Sequence, residues 1–241
     1  MQGSNGRVWW IVRHGERTDQ VDPEWLETAV RPFDPPLTLK GCEQAFCTGT
    51  ELSHTRDRID RIICSPSFRT VQTAAEIAKH VDVKICIDAG ISEWLNAPWF
   101  PGYIPRWMTP EELSVHFPGY IDLTYAPCQP QPETYEDQAK LVSRCRAFFR
   151  TVEERFPNEN IVMVTHGFMP ALARLVFKLN EVPSPVPAAG YCSVTKIAKV
   201  GNRPWQSIFY AAQRHLITAN LMSDIDTRRA RAAAVKNTAV C

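Results

Sequence analysis

One short segment constrains this chain more than any other: Arg13-His14-Gly15-Glu16-Arg17, which directly follows an apolar run at residues 8–12. An uncharged run of Val, Trp and Ile is typical of a strand buried on both faces. The two arginines disfavour a protonated imidazole on His14 and attract an anion to the same place. A neutral imidazole beside a bound phosphate is a potential nucleophile, so the segment predicts an anion site at the end of the first strand.

Strand and helix patterns alternate along the chain, which predicts an α/β fold with a mainly parallel sheet. Strands are predicted over residues 8–12, 61–64, 84–87, 161–165, 191–198 and 205–211. Helices are predicted over residues 38–52, 68–80, 110–116, 134–156 and 168–179. Thr38 and Ser65-Pro66-Ser67 have the residue types of helix N-terminal caps. The remaining long segments are predicted to be a loop at 18–36 and a proline-rich insertion at 91–135 that caps the end of the sheet.

The composition bounds the kind of protein. With 241 residues, 44% of them hydrophobic, the chain is large enough for one core, and no linker divides it. The formal net charge of +1 argues against a partner such as nucleic acid or a membrane surface. The eight cysteines lack zinc-type spacing, and no secretory leader, lipidation motif or membrane-length apolar run is recognised. We therefore expect free thiols and a cytoplasmic location.

Three short motifs follow three predicted strands: Arg13-His14-Gly15, Ser65-Pro66-Ser67-Phe68-Arg69 and His166-Gly167. Loops that follow parallel strands meet at one edge of the sheet, where ligands bind. The two histidines and the arginines are therefore expected to converge. Helices that begin after Gly15 and Gly167 are expected to point their N–H groups toward the same anion.

The residue types at this edge suit a phosphate monoester. Arg13, Arg17 and Arg69 are expected to neutralise the dianion and the transferring phosphoryl group. His14 is expected to attack phosphorus through one ring nitrogen while the other keeps its proton, donated to a backbone carbonyl. His166 would add a donor to the phosphate oxygens.

A leaving alcohol needs a proton, and a carboxyl with a raised pKa is the expected source. Glu93, just past the third strand and beside Trp94, is the first candidate. Glu16, two positions after His14, is the rival. Spacing alone leaves the choice between the two carboxyls open.

At these residues the chain resembles the histidine phosphatase (phosphoglycerate mutase-like) superfamily over nearly its whole length. The segments from Arg13 to Arg17, Pro35 to Gly41, Ser65 to Ala74, and Glu93-Trp94 are most similar to one branch. That branch comprises the phosphatase domain of the T-cell ubiquitin ligand proteins, also called suppressors of T-cell receptor signalling, and the insect ecdysteroid-phosphate phosphatase. Residues 1–222 are accordingly expected to form a histidine phosphatase domain, with residues 223–241 as a polar tail.

The resemblance implies a three-layer α/β/α sandwich, a phosphohistidine on His14, and homodimers. It also implies a phosphate pocket of Arg13, Arg17, Arg69 and His166, with Glu93 as proton donor and neither metal nor cofactor. Gly167 stands where the acid phosphatase and phytase branch has an aspartate, which disfavours that branch. Arg17 stands where the glycolytic mutases typically have a serine, which disfavours mutase activity.

The sequence therefore predicts a phosphomonoesterase. Its expected substrate is a phosphotyrosine protein or another bulky aromatic or steroid phosphate, because Trp94, Trp99 and Trp107 can stack on such a group. Two alternatives stay open: a phosphotransferase or mutase acting on small phosphorylated metabolites, and a phosphoprotein-binding scaffold with weak turnover.

Overall fold

Six strands form one sheet in the computed structural model, which describes residues 6–179, 189–224 and 226–227. The strands are β1 (Gly6–Arg13), β2 (Arg61–Cys64), β3 (Ile85–Ile87), β4 (Ile161–Thr165), β5 (Val194–Val200) and β6 (Gln206–Ala212). Their order is β3-β2-β4-β1-β5-β6, with the first four parallel and the last two antiparallel to their neighbours. The predicted α/β fold with a mainly parallel sheet is confirmed.

The helices of the described residues are α1 (Trp25–Thr28), α2 (Leu39–Ser53), α3 (Phe68–Val81), α4 (Pro110–His116), α5 (Gln138–Arg155), α6 (Met169–Phe177) and α7 (Arg214–Thr218). The predictions for β2, β4 and α4 match these bounds. Helix α5 begins four residues later than predicted because the Asp137 side chain caps it, accepting the Lys140 N–H at 2.8 Å. Helices α1 and α7 were not predicted.

Strand β1 lies between two cores because its side chains alternate between the faces of the sheet. Trp9 and Ile11 are buried against α5 and α6, whereas Trp10 and Val12 are buried against α2 and α3. The result is a three-layer α/β/α sandwich in which the sheet is covered on both sides.

The first turn of α2 lies directly on the chain that leaves β1. Thr38 caps this helix as predicted, since its hydroxyl accepts the Gly41 N–H at 2.9 Å. A Cβ atom on Gly15 would lie 2.5 Å from the Gly41 carbonyl oxygen, and one on Gly41 would collide with the Glu16 carbonyl. Both glycines are therefore required by the close approach of two backbones, which fixes the position of the chain after His14.

The start of α3 is capped from outside the helix. Ser67 occupies the cap position, but its side chain makes no cap hydrogen bond. Instead, the buried carboxylate of Asp34 accepts the Phe68 N–H at 2.8 Å. The prediction of Ser65-Pro66-Ser67 as the cap is correct in position, whereas the side chain that provides it comes from the 18–36 loop.

The predicted strand over 191–198 is wrong at its start, because β5 begins at Val194. Cys192 adopts a left-handed conformation with φ of 50°, and the Ser193 N–H donates to the Gly190 carbonyl at 3.1 Å. These contacts form a turn that no strand can include. Tyr191 therefore lies in a turn next to β1.

Ser223 and Asp226, within the predicted polar tail, are buried, and residues 228–241 lie outside the described residues. The seven described cysteines are free thiols. Among the described helices, none combines the length and hydrophobicity needed to cross a membrane.

Candidate active site

The three sequence motifs meet at the carboxyl ends of β1, β2 and β4. In the sheet register Arg13 lies opposite Thr165, so His14 and His166 both follow directly. The two imidazole rings lie 5.5 Å apart between centroids. A cavity of about 520 Å³ opens here, and it is lined by Arg13, His14, Arg17, Asp19, Leu26, Pro32, Phe33, Arg69, Glu93, Trp99, Phe100, Tyr103, Gly167 and Phe168. The predicted convergence of His14, His166 and the three arginines is confirmed.

His14 is held in one orientation by buried contacts. Its Nδ1 lies 2.8 Å from the Gly15 carbonyl oxygen, which requires a proton on Nδ1 and leaves the lone pair on Nε2. Its backbone N–H donates to Thr165 O at 2.9 Å, and its carbonyl accepts the Cys192 N–H at 3.2 Å. Burial, followed by the charge of Arg69, lowers the pKa of His14 well below 6.5. The imidazole is therefore neutral at pH 7, as the flanking arginines predict.

Arg69 is the most deeply buried of the three arginines, with 1% of its surface exposed. Its Nη2 donates to Glu93 Oε2 at 3.0 Å, and its Nη1 lies 3.7 Å from Asp34 Oδ1. Within the described residues, Nε and Nη1 have no hydrogen-bond partner. A buried guanidinium whose Nε and Nη1 groups are available to donate is suited to bind an oxyanion in the cavity.

The other two arginines are anchored by different contacts. Arg13 donates from Nη1 to the Ala189 carbonyl at 2.8 Å, and its guanidinium lies 4.0 Å above the Tyr191 ring. Arg17 forms a fork with Asp19, donating from Nε at 2.7 Å and from Nη2 at 2.5 Å. Each contact orients a guanidinium on the wall of the cavity.

His166 and Glu93 form a buried pair. Glu93 Oε2 lies 3.2 Å from His166 Nδ1, so that nitrogen carries the proton and donates it to the carboxylate. His166 Nε2 then accepts the Ser65 hydroxyl at 2.8 Å, which fixes the tautomer. Burial lowers the pKa of His166 to about 4, against the opposing effect of Glu93. At neutral pH His166 is thus an uncharged donor.

The expectation that the proton donor has a raised pKa is wrong for Glu93 in this structure. Burial acts to raise the pKa of Glu93, but His166, Arg69 and Arg17 together lower it below its ordinary value. Glu93 is therefore ionised at neutral pH while it holds these partners. Glu16, the rival carboxyl, accepts the Thr38 hydroxyl at 3.0 Å and is not among the cavity-lining residues.

Of the two expected helix N-termini, the one after Gly167 opens an α-helix, whereas the chain after Gly15 forms only a three-residue 3₁₀ helix at Thr18–Gln20. Helix α6 begins at Met169, shortly after Gly167, as predicted. No helix begins directly after Gly15, because the Gly15 N–H donates to Thr73 Oγ1 at 3.1 Å and Arg17 pairs with Leu37 in a β-bridge. The chain is held extended there, and the Gly15 N–H is used for a hydrogen bond within the protein and is not directed at the cavity.

The outer part of the cavity is an apolar wall, formed by Leu26, Pro32, Phe33, Trp99, Phe100, Tyr103 and Phe168. Of the three tryptophans expected at the mouth, Trp99 is in this wall. Trp107 is 2% exposed and packs with Leu95 and Phe100 as core. Trp94 is half-buried and donates its indole N–H to the Glu136 carbonyl at 2.8 Å. Three phenylalanines from separate segments of the chain, Phe33, Phe100 and Phe168, line the cavity where these two tryptophans were expected.

The sequence does not reveal two hydrogen bonds that hold Tyr191, the residue whose ring contacts the Arg13 guanidinium. The Asp226 carboxylate accepts the Tyr191 N–H at 2.8 Å, and Gln213 Nε2 donates to the Tyr191 carbonyl at 2.8 Å. These bonds hold the ring that supports the Arg13 guanidinium. No short-range pattern marks Tyr191 or Asp226, since both act across the fold. Asp19, by contrast, lies two positions after Arg17, and that spacing is a local signal of an ion pair.

Acid is expected to destabilise the fold through the two site imidazoles. An unfolded histidine takes up a proton near pH 6.5, whereas the folded pKa of His14 is well below 6.5 and that of His166 is about 4. The unfolded chain then binds more protons, so stability falls as the pH falls from about 6 to about 4.5. Two protons correspond to a loss of about 2–3 kcal/mol per pH unit. Glu93, whose pKa is also lowered, adds to the loss only below its unfolded value of 4.5.

Urea unfolding at pH 7, 6 and 5 measures this dependence. The matched control is the double variant His14→Asn, His166→Asn, which removes both titrating groups and should flatten the decline. An equally steep decline in the variant and the wild type would contradict the assignment.

Among the described residues, no group of three or more His, Cys, Asp or Glu side chains is arranged to hold a metal ion.

Comparison with known proteins places this arrangement in a family. The model of the "Histidine phosphatase superfamily (branch 1)" matches residues 9–209. The ecdysteroid-phosphate phosphatase of Drosophila melanogaster is 26% identical over 243 residues, covering 82% of this chain and 31% of that protein. The ubiquitin-associated and SH3 domain-containing protein B of Homo sapiens is 29% identical over 247 residues, covering 83% of this chain and 37% of that protein. The chain thus spans about a third of the length of these curated relatives.

A solved structure shares the fold. The ecdysone phosphate phosphatase from Bombyx mori, in complex with tungstate, matches with a TM-score of 0.70 at 19% identity, covering 86% of this chain and 93% of that chain. This likeness agrees with the three-layer sandwich, and the resemblance inferred from the motifs is confirmed. The family match includes β1 from Trp9 onward, β2, β4 and the residues that follow these strands, and we conclude that this chain belongs to the histidine phosphatase superfamily, branch 1.

Proposed function

We propose that this chain hydrolyses phosphate monoesters in two steps, through a phosphohistidine intermediate on His14 and with Glu93 as proton donor. Membership of the family and the phosphatases among its relatives support phosphatase chemistry in general. The observation that carries the proposal is the neutral His14, whose Nδ1 is held by the Gly15 carbonyl at 2.8 Å while three arginines line the same cavity. A pure binding site for phosphate needs the arginines but not an oriented nucleophile.

In the first step His14 Nε2 attacks phosphorus, and the bond from phosphorus to the ester oxygen breaks. The charge on the transferring phosphoryl group spreads over its three equatorial oxygens, toward which guanidinium groups donate. Arg69 contributes the two nitrogens that have no partner among the described residues. The leaving oxygen takes a proton from Glu93, so that a neutral alcohol departs.

In the second step water attacks the phosphohistidine and the bond between nitrogen and phosphorus breaks. Glu93, now a carboxylate, accepts the proton of the attacking water, and phosphate leaves with His14 neutral again. The same group therefore acts first as an acid and then as a base, as reversal of the first step requires.

The lowered pKa of Glu93 is compatible with this role because its cause is local. His166 Nδ1 and Arg69 Nη2, both within 3.2 Å of Glu93 Oε2, are the donors that hold the carboxylate ionised. A phosphate dianion competes for those donors and adds negative charge beside the carboxylate. Both effects raise the pKa of Glu93, so we propose that substrate binding is accompanied by proton uptake at Glu93.

The apolar wall supports a bulky, partly apolar leaving group. Phe33, Trp99 and Tyr103 present ring surface to the cavity, and such surfaces favour an aromatic or steroid alcohol. Phosphotyrosine in proteins and steroid phosphates are accordingly the proposed substrate classes. We also propose a homodimer, which the resemblance implies, and a cytoplasmic location, which the free thiols favour. Light scattering of the purified chain tests the dimer.

Phosphate release from p-nitrophenyl phosphate by the purified chain tests hydrolysis directly. Appearance of the phosphoryl group on an added alcohol, in place of inorganic phosphate, would indicate a transferase or mutase. Binding of phosphate without turnover would indicate a scaffold.

Replacing Glu93 by glutamine is expected to lower kcat/KM for phenyl phosphate about 10²-fold, because the poor phenoxide leaving group then departs unprotonated. The loss for p-nitrophenyl phosphate should be several-fold smaller, since p-nitrophenoxide leaves readily without a proton. The ratio of kcat/KM between the two substrates measures the effect, because kcat/KM reports only the steps up to phosphoryl transfer.

The control is Glu16→Gln, which removes the rival carboxylate outside the cavity lining. That variant should leave the ratio near its wild-type value. If Glu93→Gln slows both substrates equally, Glu93 positions Arg69 and His166 and does not donate the proton.

A further inference from the structure

Asp19 is a carboxylate in the lining of the cavity, and it takes no part in proton transfer in the two-step mechanism proposed above. Its side chain is 9% exposed and lines the same cavity as His14 and Arg69. Both oxygens accept hydrogen bonds from Arg17, and Oδ2 also accepts from Gln20 Nε2 at 3.3 Å. The ion pair holds this negative charge in place on the cavity wall, so its effect on a bound ligand is fixed by the fold.

The charges of the cavity are nearly balanced without substrate. Three guanidinium groups face two carboxylates, those of Asp19 and Glu93, and both imidazoles are neutral at pH 7. The single excess positive charge is more than cancelled by a phosphate dianion. Proton uptake at Glu93 then restores neutrality, so a further anionic group on the substrate would find no counter-charge.

Arg31, whose guanidinium lies 4.9 Å from the Phe33 ring, is a cation beside the apolar wall, but it is outside the cavity lining and is paired with Asp34. Asp34, 3.7 Å from Arg69, lies outside the cavity lining and has its own partner in Arg31 at 3.3 Å. Among the described residues that line the cavity, the only Lys or Arg side chains are the three phosphate-pocket arginines. The apolar wall is uncharged throughout.

Asp19 shares this cavity with both the phosphate-pocket arginines and the apolar wall. Its charge also acts on Arg69, since it is among the charges that shift the pKa of that guanidinium. A leaving group that lies against the wall while its phosphate contacts the arginines therefore occupies the same half-enclosed space as the Asp19 carboxylate. Like charges confined to one such space repel each other.

We infer that Asp19 is a specificity-determining residue that discriminates against phosphate monoesters with an anionic leaving group and so favours esters of uncharged alcohols and phenols. The inference rests on the proposed function, because it concerns which monoesters the site turns over. It places carboxylate-bearing metabolites, and phosphotyrosines whose nearest neighbours are acidic, among the poor substrates.

The test compares 3- and 4-carboxyphenyl phosphate with the matching carbamoylphenyl phosphates, which have the same shape without the charge. Wild-type kcat/KM should favour the carbamoyl esters by about tenfold at low ionic strength. Asp19→Asn should lower the ratio severalfold, and what remains is the difference in leaving-group reactivity between the two esters, which does not depend on Asp19. The ratio between the two esters cancels changes in catalysis that are common to both, so it reports the electrostatic effect of the Asp19–Arg17 pair on the leaving group.

Glu27→Gln, an exposed carboxylate in α1 outside the cavity lining, is the control and should leave the ratio unchanged. Added salt is a second measurement that needs no variant, because screening should lower the wild-type ratio. A wild-type ratio near one, or a ratio that Asp19→Asn leaves intact, overturns the inference while hydrolysis of both esters still supports the proposed function. Failure of the wild type to hydrolyse either ester overturns both.

Discussion

Replacing His14 by alanine is expected to lower kcat for p-nitrophenyl phosphate by about 10⁴-fold or more, because the variant lacks the atom that receives the phosphoryl group. His14 is buried and its Nδ1 is committed to the Gly15 carbonyl. Among the described residues, the other imidazole of the site is not oriented to replace it, since His166 directs Nδ1 to Glu93 and Nε2 to Ser65. The residual rate should therefore approach that of water attacking a bound ester.

Trapping identifies the step that is lost. Wild-type chain mixed with ³²P-labelled substrate and quenched in alkali should carry label that acid removes, the behaviour of phosphohistidine. The His14→Ala variant should carry none, although its arginines still bind phosphate. His54→Ala, which removes an exposed imidazole at the end of α2, serves as the control and should label normally. Turnover by His14→Ala near the wild-type level would eliminate covalent catalysis at this position.

The convergence behind that prediction was accessible from the sequence for a topological reason. Parallel strands place the residues after their carboxyl ends at one edge of the sheet. Three motifs after three apolar runs are therefore sufficient to predict that Arg13, His14, Arg69 and His166 lie together. The direction of the His14 pKa shift follows from burial after an apolar strand and from the arginines of the motifs, among which Arg69, from the second motif, acts more strongly than Arg13.

What the sequence could not supply depends on contacts between distant segments. The pKa of Glu93 is lowered by His166 and Arg69, which lie 73 and 24 positions away along the chain. The direction of this pKa shift therefore cannot be predicted from the residues next to Glu93. Tyr191 was assigned to a strand because its apolar neighbours match one, and only the left-handed Cys192 shows the turn. Trp107 was expected at the mouth because tryptophan suits both a core and a binding surface.

Arg69 should be the second most sensitive position, because it connects the phosphate to the proton donor. Replacing it by methionine, which fills much of the same volume without charge, is expected to lower kcat/KM for p-nitrophenyl phosphate by about 10³-fold. Two donors that face the transferring phosphoryl group are then absent. Binding of inorganic phosphate or vanadate should weaken in parallel, and isothermal titration measures that loss independently of turnover.

The same substitution should change the pH dependence in a direction that a purely structural role does not predict. The guanidinium of Arg69 lies 3.0 Å from Glu93 and helps to hold that carboxylate ionised, so its removal raises the pKa of Glu93. Glu93 in the complex with substrate then stays protonated to higher pH, and the alkaline limb of kcat should move upward in Arg69→Met.

Arg69→Lys separates charge from geometry. Lysine keeps one positive charge near Glu93 and Asp34, but it cannot donate to the carboxylate and the phosphate from a planar fork. The alkaline limb should therefore stay near its wild-type position while kcat/KM remains about 10²-fold low. Thermal unfolding of both variants checks the fold, since removing one partner of a buried ion pair, as Arg69→Met does for Glu93, costs about 3–5 kcal/mol. If the alkaline limb of Arg69→Met does not move while the variant stays folded, Arg69 does not control the protonation of Glu93, and the coupling between phosphate binding and proton uptake is wrong.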